Sequence, residues 1–441
     1  MRISALPPGK IGLLGFGVEG KATLAALRRA GRADDVAVYS DAPLALEPGL
    51  DLRVGPTARL DDLALLLRSP GFAPHHPLRR RADAEGILQS TATRLFLAEV
   101  RALGLPIIGV TGSKGKSTTS TLTALTLQAA GQEAALVGNI GTPALDRLDE
   151  IAARRAPVVM ELSSYQCDDL QPGEGPDIAV LLDLFPEHMD WHGGVEAYFA
   201  AKLRLAAAQS PSGRLRYHHR VSHHIVDAGF PGEAEAVNHP GGLHFAEGWF
   251  REGDRRLCTD EGMALPGAHN RENAVHAFSA ARLLGATPDH LQAALRTFGG
   301  LPFRLQDEGL HRGRRWINDS ISTAPEAAAA ALRAFPQATT LIAGGHDRGY
   351  DPRPLVAALA ESAVAELILL PITGAAIAAG VGAAGLPMRV TEVADLPEAV
   401  ALAEARSPQG SLVLFSPGAP SYNQYRSFEE RGRHLRALLQ S

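Results

Sequence analysis

The chain has 441 residues, 45% hydrophobic and 21% charged, which at roughly 150 residues per domain suggests about three domains with packed cores. A net charge of −5, from 43 basic and 48 acidic residues, leaves no excess of positive charge for nucleic acid. Two cysteines, Cys167 and Cys258, are too few for a disulfide framework and lack zinc-site spacing; no apolar run is long enough to cross a membrane and residues 1–10 have no signal-peptide core, so a cytoplasmic protein is expected. A monomer is expected too, although none of these features fixes the oligomeric state.

Residues 11–14 form a short apolar run ending at Gly15. A helical pattern follows over 21–30 and a second strand over 36–39, the start of a small α/β domain reaching to about residue 92. A helix over 93–103 leads into a buried strand at 107–110. The glycine-rich turn after it opens a larger α/β domain, whose apolar runs at 158–160 and 178–182 suit parallel strands covered on both faces. Residues 211–262, rich in Gly, Pro, Arg and His, read only as short strands and loops. A helix is expected over 270–284 and a boundary near 298–302. The last third alternates strands at 316–317, 340–343, 367–370 and 412–415 with helices at 325–335, 353–362 and 396–406, which makes a third α/β domain.

The strongest local signal is Val110-Thr111-Gly112-Ser113-Lys114-Gly115-Lys116-Ser117-Thr118, between a strand and a helix. Glycines let the backbone wrap a phosphate, the helix start adds positive potential, and a lysine and a hydroxyl can reach phosphate oxygens and Mg²⁺. Two residues separate Gly112 from Gly115, fewer than in the usual phosphate loop. The second signal is Gly15-Phe16-Gly17-Val18-Glu19-Gly20, with Asp41 at ribose-binding distance along the chain. Such a turn suits a dinucleotide, the diphosphate of a UDP-sugar, or merely a tight bend.

Together with Gly138-Asn139-Ile140-Gly141, Glu161-Leu162-Ser163-Ser164-Tyr165-Gln166, Phe185-Pro186-Glu187-His188-Met189-Asp190, Lys202 fourteen residues after His188, Asn270 and Asn273, Asn318-Asp319-Ser320 and Ser416-Pro417, the loop resembles the Mur ligases over essentially the whole chain. Glu161 to Gln166, and Ser421-Tyr422-Asn423-Gln424-Tyr425 with the stretch from Phe428 to Gly432, resemble the glutamate-adding branch. The resemblance implies three α/β domains: a Rossmann-like UDP-binding domain (1–92), a central P-loop ATPase-like parallel sheet binding ATP (93–298), and a Rossmann-like glutamate-binding domain (299–441).

It further implies a ligase that uses ATP to phosphorylate the terminal carboxylate of UDP-N-acetylmuramoyl-L-alanine, in peptidoglycan precursor synthesis, before glutamate attacks the acyl phosphate. Lys116, Glu161, His188 and Lys202 are then expected to be catalytic. Gly112 to Thr118 with Asn273, Arg304 and Asp319 would bind ATP. Ser117, Glu161, His188 and Lys202, the last as a carbamate, would bind Mg²⁺. Gly17, Val18, Asp41, Ser69, Gly71, Asn139, Ser163 and His188 would contact the UDP substrate, and Thr323, Arg348, Ser421 and Phe428 the glutamate.

D-glutamate is the expected amino acid. Three features instead resemble a smaller subgroup that adds L-glutamate: Asn318 to Pro325 with Ile321 at the usual lysine, Glu187 to Gly194, and Arg348, also at a usual lysine. Plainer readings exist for single residues: Glu161 as a strand end, His188 as a loop histidine, Lys202 as a solvated lysine. The tract His218, His219, His223, His224 matches no motif and reads as surface. A nicotinamide dehydrogenase would leave the ATP-type loop unexplained, a folylpolyglutamate synthase the N-terminal domain, and a binding protein without ligase chemistry is the third rival.

Overall fold

The computed structural model describes residues 1–441 other than 33, 34, 141, 229, 266 and 441, so Gly141 of the Gly138-Asn139-Ile140-Gly141 motif lies outside the described residues. The chain divides into two compact units, Met1–Ala264 with Ala268–Phe298, and Leu265–Gly267 with Gly299–Ser441.

The first unit holds two parallel sheets. One has five strands in the order Asp51–Val54, Val36–Ser40, Lys10–Leu14, Leu63–Arg68, Leu88–Thr91. Its strand order reverses between Lys10–Leu14 and Leu63–Arg68, where the connections on either side leave in opposite directions and a crevice opens at the carboxyl ends of the strands. The other has six strands: Glu233–Val237, Arg214–His218, Ile178–Leu181, Ile107–Thr111, Val158–Glu161, Ala135–Gly138. Ile107–Thr111, Val158–Glu161 and Ile178–Leu181 are buried along their whole length, which is why each reads as a continuous apolar run. Helices Lys116–Ala129 and Ala268–Ala281 pack together beside this sheet. The small side chains Ala274, Ala277, Ala280 and Ala281 of the second helix are all buried.

Residues 211–262 are more ordered than the sequence reading allowed. Two strands extend the parallel sheet, Ser222–Ala228 is a helix, and Leu243–Ala246, Trp249–Glu252 and Arg255–Thr259 form an antiparallel sheet. Charge hides the parallel strands: the side chain of Arg216 is buried within the sheet, and its charge is met by Glu233 and Glu235, each at 3.1 Å. The histidine tract is not simply surface. His218 is buried beside His276, with Glu272 3.7 Å from its Nε2, although His223 is exposed.

The second unit is a six-stranded sheet in the order Gln306–His311, Arg314–Asn318, Leu412–Phe415, Ala338–Ala343, Glu366–Leu369, Arg389–Glu392, antiparallel only in its first pair. Gln306–His311, Arg389–Glu392 and helices Thr373–Ala383 and Phe428–Gln440 add to the expected elements, as does Pro288–Thr297 in the first unit. Thr373–Ala383 is built almost wholly of Ala, Gly, Ile and Val and so carries no polar face to mark a helical period. Three α/β sheets, the fold class expected, are present. Among the described residues, no helix is long and apolar enough to cross a membrane.

Candidate active site

Strand Ile107–Thr111 delivers the glycine loop to the start of helix Lys116–Ala129. Gly115 occupies the N-cap with φ +84°, and no side chain caps the helix, so its first N–H groups remain for an anion. A Cβ on Gly115 would lie 2.2 Å from Asn273 Oδ1. The loop and helix Ala268–Ala281 therefore meet at a glycine, and Asn273 stands against the loop.

Lys116 Nζ donates to Gly112 O and Ser113 O, both at 2.9 Å. Lys202, on helix Val195–Ala207, reaches the same Gly112 O at 2.8 Å. It is 2% exposed and lies 5.0 Å from the centroid of the Tyr198 ring. Burial, and then the neighbouring charge of Lys116, lower its pKa to about 7. Lys202 is thus a buried amine beside the phosphate loop, not a solvated lysine.

Glu161 closes the strand next to the loop, in register with Val110. Its Oε1 accepts from Asn139 Nδ2 at 3.0 Å, whereas Oε2 is buried with no hydrogen-bond partner. Gly138, at φ +101°, lets Asn139 turn back on this strand: a Cβ there would lie 2.1 Å from Glu161 O. His188 has φ 55° and half-buried surroundings that lower its pKa; the Tyr165 ring lies 5.2 Å away.

Three expected ligand contacts have side chains turned inward. Ser113 donates its N–H to Asp183 O and its Oγ to Phe185 O, and lies 2.8 Å from Tyr198 Oη, so it braces the loop. Ser163 caps helix Ser164–Asp168 in a reciprocal bond with Gln166. In the second unit, Asp319 accepts from Ser416 Oγ at 2.7 Å and from Leu305 N at 3.1 Å, and burial pushes its pKa up to about 7. Arg304 lies near enough for its charge to oppose that rise. Lys114 is exposed and paired with Glu187, Ser117 is half-buried, and Thr118 is buried.

At the reversal point of the first sheet, Gly15, Gly17, Val18, Asp41, Ser69 and Phe72 are among the residues around an open cleft of about 670 Å³. Val18 is 71% exposed at its mouth, and Asp41 Oδ1 lies 3.0 Å from His76 Nε2. Gly71 O accepts from Trp191 Nε1 at 3.2 Å. The stretch 188–192 therefore touches both the cleft loop and the phosphate-loop neighbourhood.

In the second unit three loops converge. Gly344 N donates to Pro417 O at 2.7 Å and His346 N to Pro420 O at 2.8 Å. Buried Arg431 donates to Ser320 O and Ala419 O, and Ser320 Oγ to Phe428 O. Thr323 is half-buried on the first of these loops, Arg348 exposed on the second, and Ser421 buried on the third.

Residues 110–224 match the Mur ligase middle domain, and residues 303–418 the domain described as Mur ligase, glutamate ligase domain. The UDP-N-acetylmuramoyl-L-alanine–L-glutamate ligase of Xanthomonas campestris is 36% identical, the alignment covering 99% of this chain and 96% of the relative. The chain belongs to the Mur ligase family. Among solved structures, the UDP-N-acetylmuramate–alanine ligase of Thermotoga maritima shares the fold with TM-score 0.61 at 17% identity, covering 98% of this chain and 99% of that one. The MurF ligase of Thermotoga maritima, in complex with ADP, does so with TM-score 0.55 at 16% identity, covering 100% and 96%.

This Mur ligase is an ATP-dependent, ADP-forming enzyme, and its donor set suits Mg²⁺. The unpartnered Glu161 Oε2 is a hard oxygen at the end of the strand beside the loop. Among the described residues no three His, Cys, Asp or Glu side chains converge as a ready metal cage. Mg²⁺ is a hard cation that takes oxygen ligands, commonly one or two carboxylates together with substrate phosphates and water. Two further contacts of this Mur ligase escaped the sequence reading: Tyr198 beneath Ser113 and Lys202, and His192, whose Nε2 lies 2.9 Å from Ser164 Oγ. Burial and then the His188 charge lower the pKa of His192 to about 4, so it is a neutral imidazole in the ordinary range. Their position next to the quoted motifs was the available signal.

Proposed function

We propose that this Mur ligase joins L-glutamate to the alanine carboxylate of UDP-N-acetylmuramoyl-L-alanine, using ATP and Mg²⁺ through an acyl phosphate, in cytoplasmic peptidoglycan precursor synthesis. The observation that carries the chemistry is the meeting of Lys116 and Lys202 on Gly112 O, with an unpartnered carboxylate oxygen on the strand alongside. The sequence alone puts D-glutamate first. L-glutamate is favoured here because the Xanthomonas campestris relative, aligned nearly end to end, carries that isomer in its name. Ile321, Arg348 and Glu187 to Gly194 support the same choice.

A carboxylate oxygen of the alanine attacks the γ-phosphorus and ADP leaves. The glutamate amine then attacks the acyl carbon, inorganic phosphate departs, and the amine gives up a proton. Lys116 holds the phosphoryl oxygens as charge accumulates on them. Ser117, Glu161, His188 and the Lys202 carbamate would hold Mg²⁺, which would supply electrostatic stabilisation of that charge. A lysine with pKa about 7 is substantially neutral at neutral pH, as attack on carbon dioxide requires, and the carbamate nitrogen keeps one N–H for Gly112 O. Asn273, Arg304 and Asp319 complete the ATP contacts. The cleft at Gly17, Val18, Asp41, Ser69 and Gly71 takes the UDP moiety, with Asn139, Ser163 and His188 toward the alanine. Thr323, Arg348, Ser421 and Phe428 receive glutamate. Domains 1–92, 93–298 and 299–441 divide these tasks.

The deciding experiment is phosphate release with UDP-N-acetylmuramoyl-L-alanine and each glutamate isomer in parallel. The expected outcome is a kcat/KM for L-glutamate at least about a hundredfold above that for D-glutamate, since a misplacement near 1 Å costs about that much. A larger value for D-glutamate restores the D-isomer, and no glutamate-dependent release with either defeats the reading.

A further inference from the structure

Five arginines of the second unit are each answered by an acid: Arg436 by Glu308, Arg315 by Asp307, Arg312 by Glu404, Arg406 by Glu366, Arg353 by Asp351. Arg348 is answered by a ring. Its guanidinium carbon lies 5.4 Å from the centroid of Tyr422, and among the described residues it has no ion pair or hydrogen bond. The neighbouring Asp347 carboxylate is turned onto its own loop, where Oδ1 accepts from Gly349 N at 2.7 Å.

Backbone sets this pairing. The bonds Gly344 N to Pro417 O and His346 N to Pro420 O fasten the two loops that carry Arg348 and Tyr422. The His346 ring stands edge-on to Tyr422 at 6.1 Å, which limits the ring from another side. Tyr422 is nevertheless 58% exposed, a large aromatic surface left in water.

The two ways of holding a guanidinium differ chemically. A carboxylate partner neutralises the charge and consumes N–H donors. A π face attracts the cation electrostatically but leaves the in-plane N–H groups free for a planar anion, which a guanidinium meets in a two-pronged contact.

We propose that Tyr422 is a positioning residue for glutamate recognition: its ring holds the Arg348 guanidinium so that the free N–H fork meets the side-chain carboxylate of the incoming glutamate. The proposal rests on the ligase reading above and on Arg348 lying in the glutamate site. It also gives a reason for arginine at this position, since a lysine ammonium has no planar fork to present.

The test is steady-state kinetics on Tyr422→Ala, Tyr422→Leu, Tyr422→Phe, Arg348→Ala and the Tyr422→Ala/Arg348→Ala double variant, with thermal melts of each. Tyr422→Ala and Tyr422→Leu should raise KM for glutamate roughly two- to fivefold, the range an exposed cation–π contact supports. Their kcat at saturating glutamate, and KM for ATP and for the UDP substrate, should not change. Tyr422→Phe, which keeps the ring, should restore the KM, and Tyr422→Ala should add nothing once Arg348 is absent. An unchanged glutamate KM in both ring-deleting variants, or the same proportional rise in the Arg348→Ala background, overturns the role of Tyr422 while leaving the ligase reading intact. Wild-type protein without glutamate-dependent turnover overturns both.

Discussion

Lys116 and Lys202 direct two ammonium groups at the single oxygen of Gly112, and Lys202 does so from a site 2% exposed to water. Two like charges at one acceptor are tolerable only if one of them can be given up, and the lowered pKa of Lys202 expresses that. Lys202→Ala is expected to lose more than about a hundredfold in kcat, the scale on which single stabilising donors act. Short carboxylic acids should restore part of it by supplying the missing oxygens. Near-normal turnover of the unrescued variant would remove the carbamate from the scheme. His276 poses the opposite problem: it is 1% exposed, and both ring nitrogens lack a hydrogen-bond partner. Burial, then His218 and His219, hold its pKa well below 6.5. As pH falls through 6.5 the unfolded chain takes up a proton that the folded chain refuses, so stability declines toward acid. His276→Leu should flatten the fall in Tm between about pH 6.5 and 5, the lower part of the ordinary histidine range and below; an unaltered slope would show that His276 does not contribute to it.

The loop and its helix succeed as an element because Gly115 can take φ +84° while facing Asn273. Gly115→Ala should cost about 1–2 kcal/mol for the left-handed backbone alone, and more for the clash. Gly131→Ala is the matched control: φ is +78°, but nothing lies within 4 Å of the added carbon. If thermal melts show equal losses in the two variants, Asn273 does not press on the loop. The sequence made this element legible because glycine, lysine and hydroxyl spacing is local. Strands with continuous apolar runs, such as Val158–Glu161, were legible for the same reason. Arg214–His218 was not, because the acids that neutralise Arg216 come from the neighbouring strand. The candidate site divides likewise. Lys116 follows from the loop motif, and Glu161 and Lys202 became candidates only through the family resemblance, but that Ser113, Ser163 and Asp319 turn inward depends on partners that only the folded chain supplies.

At the scale of the whole molecule, the second unit has its own sheet and its own buried clusters, on one side around Leu341, Leu355 and Leu414 and on the other around Trp316, Phe415 and Leu435. Residues 299–441 expressed alone should therefore give an α/β circular-dichroism spectrum and a cooperative melt. A non-cooperative melt would mean that this part cannot fold by itself. The strand order carries a further consequence for how the chain is made. Leu412–Phe415 lies in the middle of the sheet, between Arg314–Asn318 and Ala338–Ala343, yet of the six strands in this sheet it leaves the ribosome after the other five. Until it emerges, its two neighbours present facing rows of unpaired N–H and C=O groups, the kind of open edge that recruits foreign strands. Late synthesis is thus the period of greatest exposure to mispairing. A stop codon shortly before residue 412 removes the keystone of the sheet along with the tail.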